Sequence, residues 1–179
     1  MRHITFSLFC AGLLACSPAR AAIDMFLCLP PPFVGETTDP GFPNCIDVLA
    51  VSDAAFQEGD VAEPRDLRIT KFVDFTSVPL RRVFVEGTHL DDAILYIRAA
   101  GAPVAGPNGA HISIKLIRAT VTSFASSTNG GEDRSTETLS LRGRQIQYMY
   151  RRRNGTGQLQ PPTYTCWDVM SGNATPSQC

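Results

Sequence analysis

Two long segments constrain this chain more than anything else in it. "HISIKLIRATVTSFASS" (111–127) and "TETLSLRGRQIQYMYRR" (136–152) flank a Gly130-Gly131 pair. In the first, Ile112, Ile114 and Leu116 share one parity, and the apolar set then moves to Ile117, Ala119 and Val121. In the second, Leu139 and Leu141 share a parity before a shift to Ile146, Tyr148 and Tyr150. A one-residue change of parity exchanges the two faces of a strand. The two shifts lie at nearly equal distances from the glycine pair, so an antiparallel hairpin places them opposite each other. That is the mark of a bulge or shared bend where paired strands pass from one sheet to the next, and Gly143 suits such a corner. The pattern predicts a long bent hairpin with "STNGGEDRS" (127–135) at its tip.

The rest of the chain supplies further strands. "AIDMFLCL" (22–29), "CIDVLAV" (45–51), "AILYIRAA" (93–100) and "TYTCWDVM" (163–170) read as strands. "LRITKFVDF" (67–75) sets Leu67, Ile69 and Lys71 against Arg68, Thr70 and Phe72, which leaves its faces undecided. "PPPFVGETTDPGFPN" (30–44) and "GAPVAGPNGA" (101–110) are rich in turn residues, and "SDAAFQEGDVAEPRD" (52–66) is polar and irregular. One short helix is expected in "TSVPLRRVFVEG" (76–87). Thr76 or Ser77 can cap it, Pro79 suits the first turn, and Gly87 suits the stop. Leu80, Val83 and Phe84 recur there at helical spacing. There is no internal repeat. The expected fold is an all-β sandwich or small barrel with one short helix, in a chain whose 179 residues suit one domain. The last residues, 171–179, form a tail that is loose unless Cys179 is bonded.

The first residues, "MRHITFSLFCAGLLACSPARA" (1–21), have the charged start, short apolar run and Ala-Arg-Ala ending of a secretory signal. Cleavage is expected between Ala21 and Ala22. Lipidation at Cys16 is the rival, but Leu14 fits that pattern poorly and little tether would separate Cys16 from the first strand. No other apolar run is long enough to span a membrane. Loss of Arg2 and Arg20 lowers the basic residues from 16 to 14 against 17 acidic ones, a net charge of about −3. Such a balance gives no general attraction to nucleic acid or acidic membranes. The signal also removes Cys10 and Cys16, leaving Cys28, Cys45, Cys166 and Cys179. An even number in an exported domain suggests two disulfides. Of the three pairings, Cys28–Cys45 and Cys166–Cys179 are preferred. The first would staple the loop between two early strands and the second would tie down the tail. Zinc is disfavoured, because there is no CxxC pair and no histidine cluster.

Several polar groups invite chemistry. Glu132 and Asp133 are adjacent carboxylates, but glycoside hydrolysis needs two carboxylates facing each other across a substrate. A charged turn or subunit contact is the better reading, with Arg134 able to grip a neighbouring carboxylate. His89 with Asp91 and Asp92 reads as a solvated turn before it reads as a metal site. His111 has no evident partner. Ser123, Ser126 and Ser127 lack a nucleophile-elbow motif. Arg151, Arg152 and Arg153 read as a solvated run at a strand end. Asn154-Gly155-Thr156 and Asn173-Ala174-Thr175 match the glycosylation pattern, which is frequent by chance. No cofactor or metal site is expected.

In order along the chain, "AIDMFL", "CIDVLA", "LRITKFVD", "GTHLDDAILYIRAAG" and "NGGEDRSTETLSL" resemble the Hcp (haemolysin-coregulated protein) family, the tube proteins of type VI secretion. The similarity spans 22 to about 169. It implies a small β-barrel of two sheets with a short helix, hexameric rings that stack into a tube, and a structural role without catalysis. The implied partners are further copies of the chain, effector proteins carried in the ring lumen, and spike proteins. It also makes Glu132, Asp133 and Arg134 candidate subunit contacts. The chain departs from the family in its signal segment and its cysteines. The loop after the second strand, long and glycine-rich in the family and used there for stacking, is only "SDAAFQEGDVAEPRD", and the sole tryptophan is Trp167. A monomeric periplasmic or secreted binding module on the same barrel is the second reading, and a hydrolase using Glu132 or Asp133 ranks last.

Overall fold

The computed structural model describes residues 22–53, 55–58, 61–64, 66–102, 105–128, 130 and 133–179. In chain order the elements are β1 (Ile23–Cys28), β2 (Ile46–Ser52), β3 (Ala55–Glu58), β4 (Val61–Pro64), β5 (Leu67–Phe72), α1 (Ser77–Glu86), β6 (His89–Ala99), β7 (Ile112–Ser127), β8 (Thr136–Arg142), β9 (Gln145–Tyr150), β10 (Thr163–Asp168) and β11 (Asn173–Thr175). A single 3-10 turn covers Gly106–Gly109.

The long hairpin forms, and it bends at the parity shifts. β7 pairs with β9 as far as Ile117↔Gln145 and with β8 from Thr120↔Arg142 onward. Between them Arg118, at φ 50°, faces the Gly143-Arg144 break, and the Arg144 N–H donates to the Ile117 carbonyl at 2.9 Å. A Cβ at Gly143 would stand 2.7 Å from the Gln145 carbonyl oxygen and 3.1 Å from the Leu116 Cβ. Only glycine lets the two strands approach this closely at the corner. β7 carries a second irregularity against β8 between Val121 and Ser123.

This bend closes a barrel. The order β7-β6-β1-β2-β5-β8, with β8 returning to β7, joins six strands through antiparallel ladders. Past the corner, β9 replaces β8 beside β7 and continues into β10 and β11. A closed barrel leaves no edge on its member strands. Its interior is filled by Leu27, Ile46, Val48, Leu67, Ile69, Leu90, Leu95, Leu116, Val121, Leu139 and Leu141, all buried. Burial of each such side chain is worth about 1.5–3 kcal/mol. α1 packs onto this core through Leu80 and Val83, whereas Phe84 is more exposed than its helical spacing suggests.

A smaller cluster fixes the loop at 30–44. Phe26 stacks on Phe42 with ring centroids 4.2 Å apart. The Arg98 guanidinium lies over both rings and binds the carboxylates of Asp24 and Asp39.

The helix is capped differently from expectation. Thr76 occupies the N-cap position, yet its side chain makes no capping bond. Asp74 instead orders the turn leading into the helix: its Oδ1 accepts from the Thr76 N–H at 2.8 Å and from the Thr76 hydroxyl at 2.5 Å. Gly87 ends the helix at φ 64°, as its position suggests.

Three expectations are corrected. The stretch at 52–66 is not irregular: β3 and β4 pair as a separate two-stranded sheet. A Gly-Asp pair in sequence between two extended runs is a hairpin signal, which the polarity of this stretch obscures. β6 begins at His89, so His89, Asp91 and Asp92 lie on a strand and not on a helix–strand connection. Tyr150 is 54% exposed at the strand end and does not share the buried face of Ile146.

Candidate functional site

The tip of the long hairpin spans the ends of β7 and β8, which meet at the Ser127↔Thr136 pair. The Thr128 hydroxyl donates to the Ser135 hydroxyl at 2.9 Å. Glu132 lies outside the described residues. Asp133 is exposed. Arg134 folds back onto its own barrel, its guanidinium 4.2 Å from the centre of the Phe72 ring. That is a cation–π contact.

Beneath the tip is a polar network that the sequence reading missed. Lys71 on β5 and Glu137 on β8 are directly opposite each other in the ladder. Lys71 is 0% exposed, with its ammonium 2.7 Å from Glu137 Oε1 and 2.6 Å from Asp74 Oδ1. The ammonium also donates to the Phe72 carbonyl at 3.0 Å and to Ser77 Oγ at 3.3 Å. The Ser77 hydroxyl in turn donates to Glu137 Oε1 at 2.7 Å and accepts the Asp74 N–H at 3.0 Å. Glu137 Oε2 is buried and has no partner. One cation and two carboxylates thus join β5, β8 and the first turn of α1 at a single point. The "LRITKFVD" segment contributes Lys71 and Asp74, and "NGGEDRSTETLSL" contributes Glu137, so the two blocks meet here. Sealed from solvent, the network fastens the helix to the barrel.

The other singled-out residues are scattered. The His89 ring Nδ1 is 2.7 Å from the Thr120 hydroxyl, and Asp92 pairs with Lys115 at 2.8 Å. Among the described residues no group of His, Cys, Asp and Glu is arranged to hold a metal. Ser123 donates to Ser140, Ser126 accepts from Arg81, and Ser127 sits at the end of the ladder. Asn154 organises a tight loop, and Asn173 and Thr175 bound β11. Arg151 and Arg153 are half-buried and not a solvated run. Tyr148 donates to Asp53 at 3.2 Å, and burial, with the Asp53 charge beside it, pushes its hydroxyl pKa up.

Two disulfides are present, Cys28–Cys45 and Cys166–Cys179. The first joins β1 to the start of β2. The second brings the chain end back to β10, where β11 pairs through Cys166↔Thr175. No described helix is long and apolar enough to cross a membrane.

Exposed apolar side chains stand on the outer face of α1 and its approach, beside the exposed Arg82–Glu86 ion pair. Phe75, Val78 and Val85 are 82%, 77% and 82% exposed. Val78 and Val85 are seven residues apart and share one side of the helix, while Ser77 and Leu80 face inward.

A closed six-strand barrel with a sealed polar network and exposed apolar side chains on its one helix defines a small β-barrel protein. The family model for "Type VI secretion system effector, Hcp" matches residues 23–150. A protein of Pseudomonas aeruginosa, "Protein hcp1", is 32% identical over 147 residues, 76% of this chain and 88% of that protein. The chain therefore belongs to the Hcp family, the tube proteins of type VI secretion. Among solved structures, one titled "Structure of a type six secretion system protein" superposes with a TM-score of 0.76 at 23% identity, over 86% of this chain and 100% of the other. The Hcp1 of Salmonella typhimurium superposes with a TM-score of 0.69 at 23% identity, again over 86% and 100%. The family is one of structural secretion-system proteins and not an enzyme family.

Proposed function

We propose that this protein is a ring-forming subunit, assembling as a homo-hexamer with a structural and cargo-carrying role and no catalytic one. The observation that carries this reading is the outward apolar surface of Phe75, Val78 and Val85. The six barrel strands themselves offer no free edge, so association through the barrel wall falls to side-chain surfaces. Exposed apolar patches mark such surfaces. The occupant proposed for this one is a second copy of the chain, in keeping with its family. Glu132, Asp133 and Arg134 at the hairpin tip are the further residues proposed to meet that neighbour. Effector proteins in the ring lumen and spike proteins remain the proposed partners.

The protein is further proposed to be exported, cut between Ala21 and Ala22, and to act in the periplasm or outside the cell as a barrel (22–170) with a pinned tail (171–179). Its two disulfides support this, because such bonds persist in oxidising compartments.

The test is the double substitution Phe75→Asp with Val78→Asp. Both side chains are exposed, so folding should survive with an unchanged circular dichroism spectrum. Light scattering should show the assembly falling to single chains. An assembly of unchanged mass would remove this face from the interface.

A further inference from the structure

Among the described residues four buried side-chain polar atoms have no partner, and three belong to one corner of the molecule: His111 Nδ1, Arg151 Nε and Arg153 Nη2. The corner lies where β7 begins and β9 ends. The Arg151 N–H donates to the His111 carbonyl at 2.8 Å, and Arg153 bridges to Leu159. Each guanidinium is pinned from one side by a backbone carbonyl. Arg151 Nη1 donates to Asn108 at 2.7 Å, and Arg153 Nη1 donates to Gly157 at 3.0 Å. The loop carrying Arg153 is held by Asn154 Oδ1, which accepts from the Thr156 N–H, the Thr156 hydroxyl and the Gln158 N–H at 3.1, 2.7 and 2.8 Å. None of the ion pairs among the described residues involves Arg151 or Arg153. Burial, and then the nearby Arg153 charge, hold the His111 pKa below its ordinary value, as expected beside uncompensated positive charge.

An open cavity of about 630 Å³ adjoins this corner, bounded by Ala102, Arg151, Arg153, Leu159, Pro161 and Pro162 among others. Two fixed guanidiniums on one side and a proline-leucine wall on another are unlike a solvated basic run. Guanidinium forks match carboxylate and phosphate oxygens. The apolar wall favours a carboxylate on a hydrophobic body over bare phosphate. Most of the site comes from residues 151–162, beyond the 23–150 span that matches the family.

We propose that this cavity is a binding site for a carboxylate attached to a small apolar group. Arg151 and Arg153, which carry no ion pair among the described residues, line the cavity and would meet the carboxylate, and Leu159 with the two prolines covers the apolar part. A free organic acid has this chemistry.

The experiment is calorimetric titration of the oxidised protein with N-acetyl-leucine, N-acetyl-leucine amide and inorganic phosphate. Binding of N-acetyl-leucine, with at least about tenfold weaker binding of the amide and of phosphate, is the expected result. Arg153→Gln should weaken the carboxylate at least about tenfold, and Arg151→Lys should weaken it too because the fork is lost. Arg152→Gln, at an exposed position, should leave binding unchanged. Should Arg153→Gln prove unfolded by circular dichroism, Arg151→Lys decides. The proposal is overturned if N-acetyl-leucine does not bind, if the amide or phosphate binds as well, or if folded Arg151→Lys and Arg153→Gln bind like the parent.

Discussion

Replacing Lys71 with Met should cost the fold about 3–5 kcal/mol, the usual penalty for stranding a buried charge. Lys71 is fully buried and is the one cation within 4 Å of the Glu137 carboxylate among the described residues. Without it, Glu137 keeps only the Ser77 hydroxyl, and Glu137 Oε2 is already unpartnered. Asp74 is better protected, since it still accepts from Thr76. The double variant Lys71→Met with Glu137→Met should therefore recover most of the loss, because an apolar pair of similar size replaces a charged one. Urea unfolding of the oxidised protein measures both. A loss below about 1 kcal/mol for Lys71→Met, the range of a surface ion pair, would show that the network does not hold the barrel to α1.

Removing the Cys28–Cys45 bond by double substitution to Ser should cost about 3 kcal/mol on the chain-entropy model, for residues 17 apart in sequence. Both ends of that loop are tied into the barrel. Gly35 donates to the Asn44 carbonyl at 2.8 Å, Thr37 donates to the Cys45 carbonyl at 3.2 Å, and Asp39 binds Arg98. Opening the Cys166–Cys179 bond should cost much less. The β11 segment it retains is exposed along its length, and such a tail frays without global unfolding. Chemical denaturation of the two double-serine variants separates the cases. Equal losses would mean that the tail is as integral to the barrel as the early loop.

The bend was legible because parity is a strict rule. Ile112, Ile114 and Leu116 giving way to Ala119 and Val121, with a matching change past Gly143, leaves the strands no option but to turn together. The buried network was less legible, although its signal was present. Lys71 shares parity with Leu67 and Ile69, and Glu137 shares parity with Leu139 and Leu141. A lone charge on an apolar face reads as an ambiguous strand. Two charges of opposite sign on the inward faces of strands that pair read as a buried ion pair, and that requires knowing the pairing. The Arg151–Arg153 run was misread for a related reason. Its burial depends on a loop that folds back through Asn154 and Leu159, and no local pattern announces that.

The function proposed for this protein depends on assembly through its outer surfaces. Its most direct test is the mass in solution of the oxidised protein beginning at Ala22, measured by light scattering over a range of concentrations. A single species of six chains, insensitive to dilution, is the expected result. A single chain at every concentration would contradict the ring.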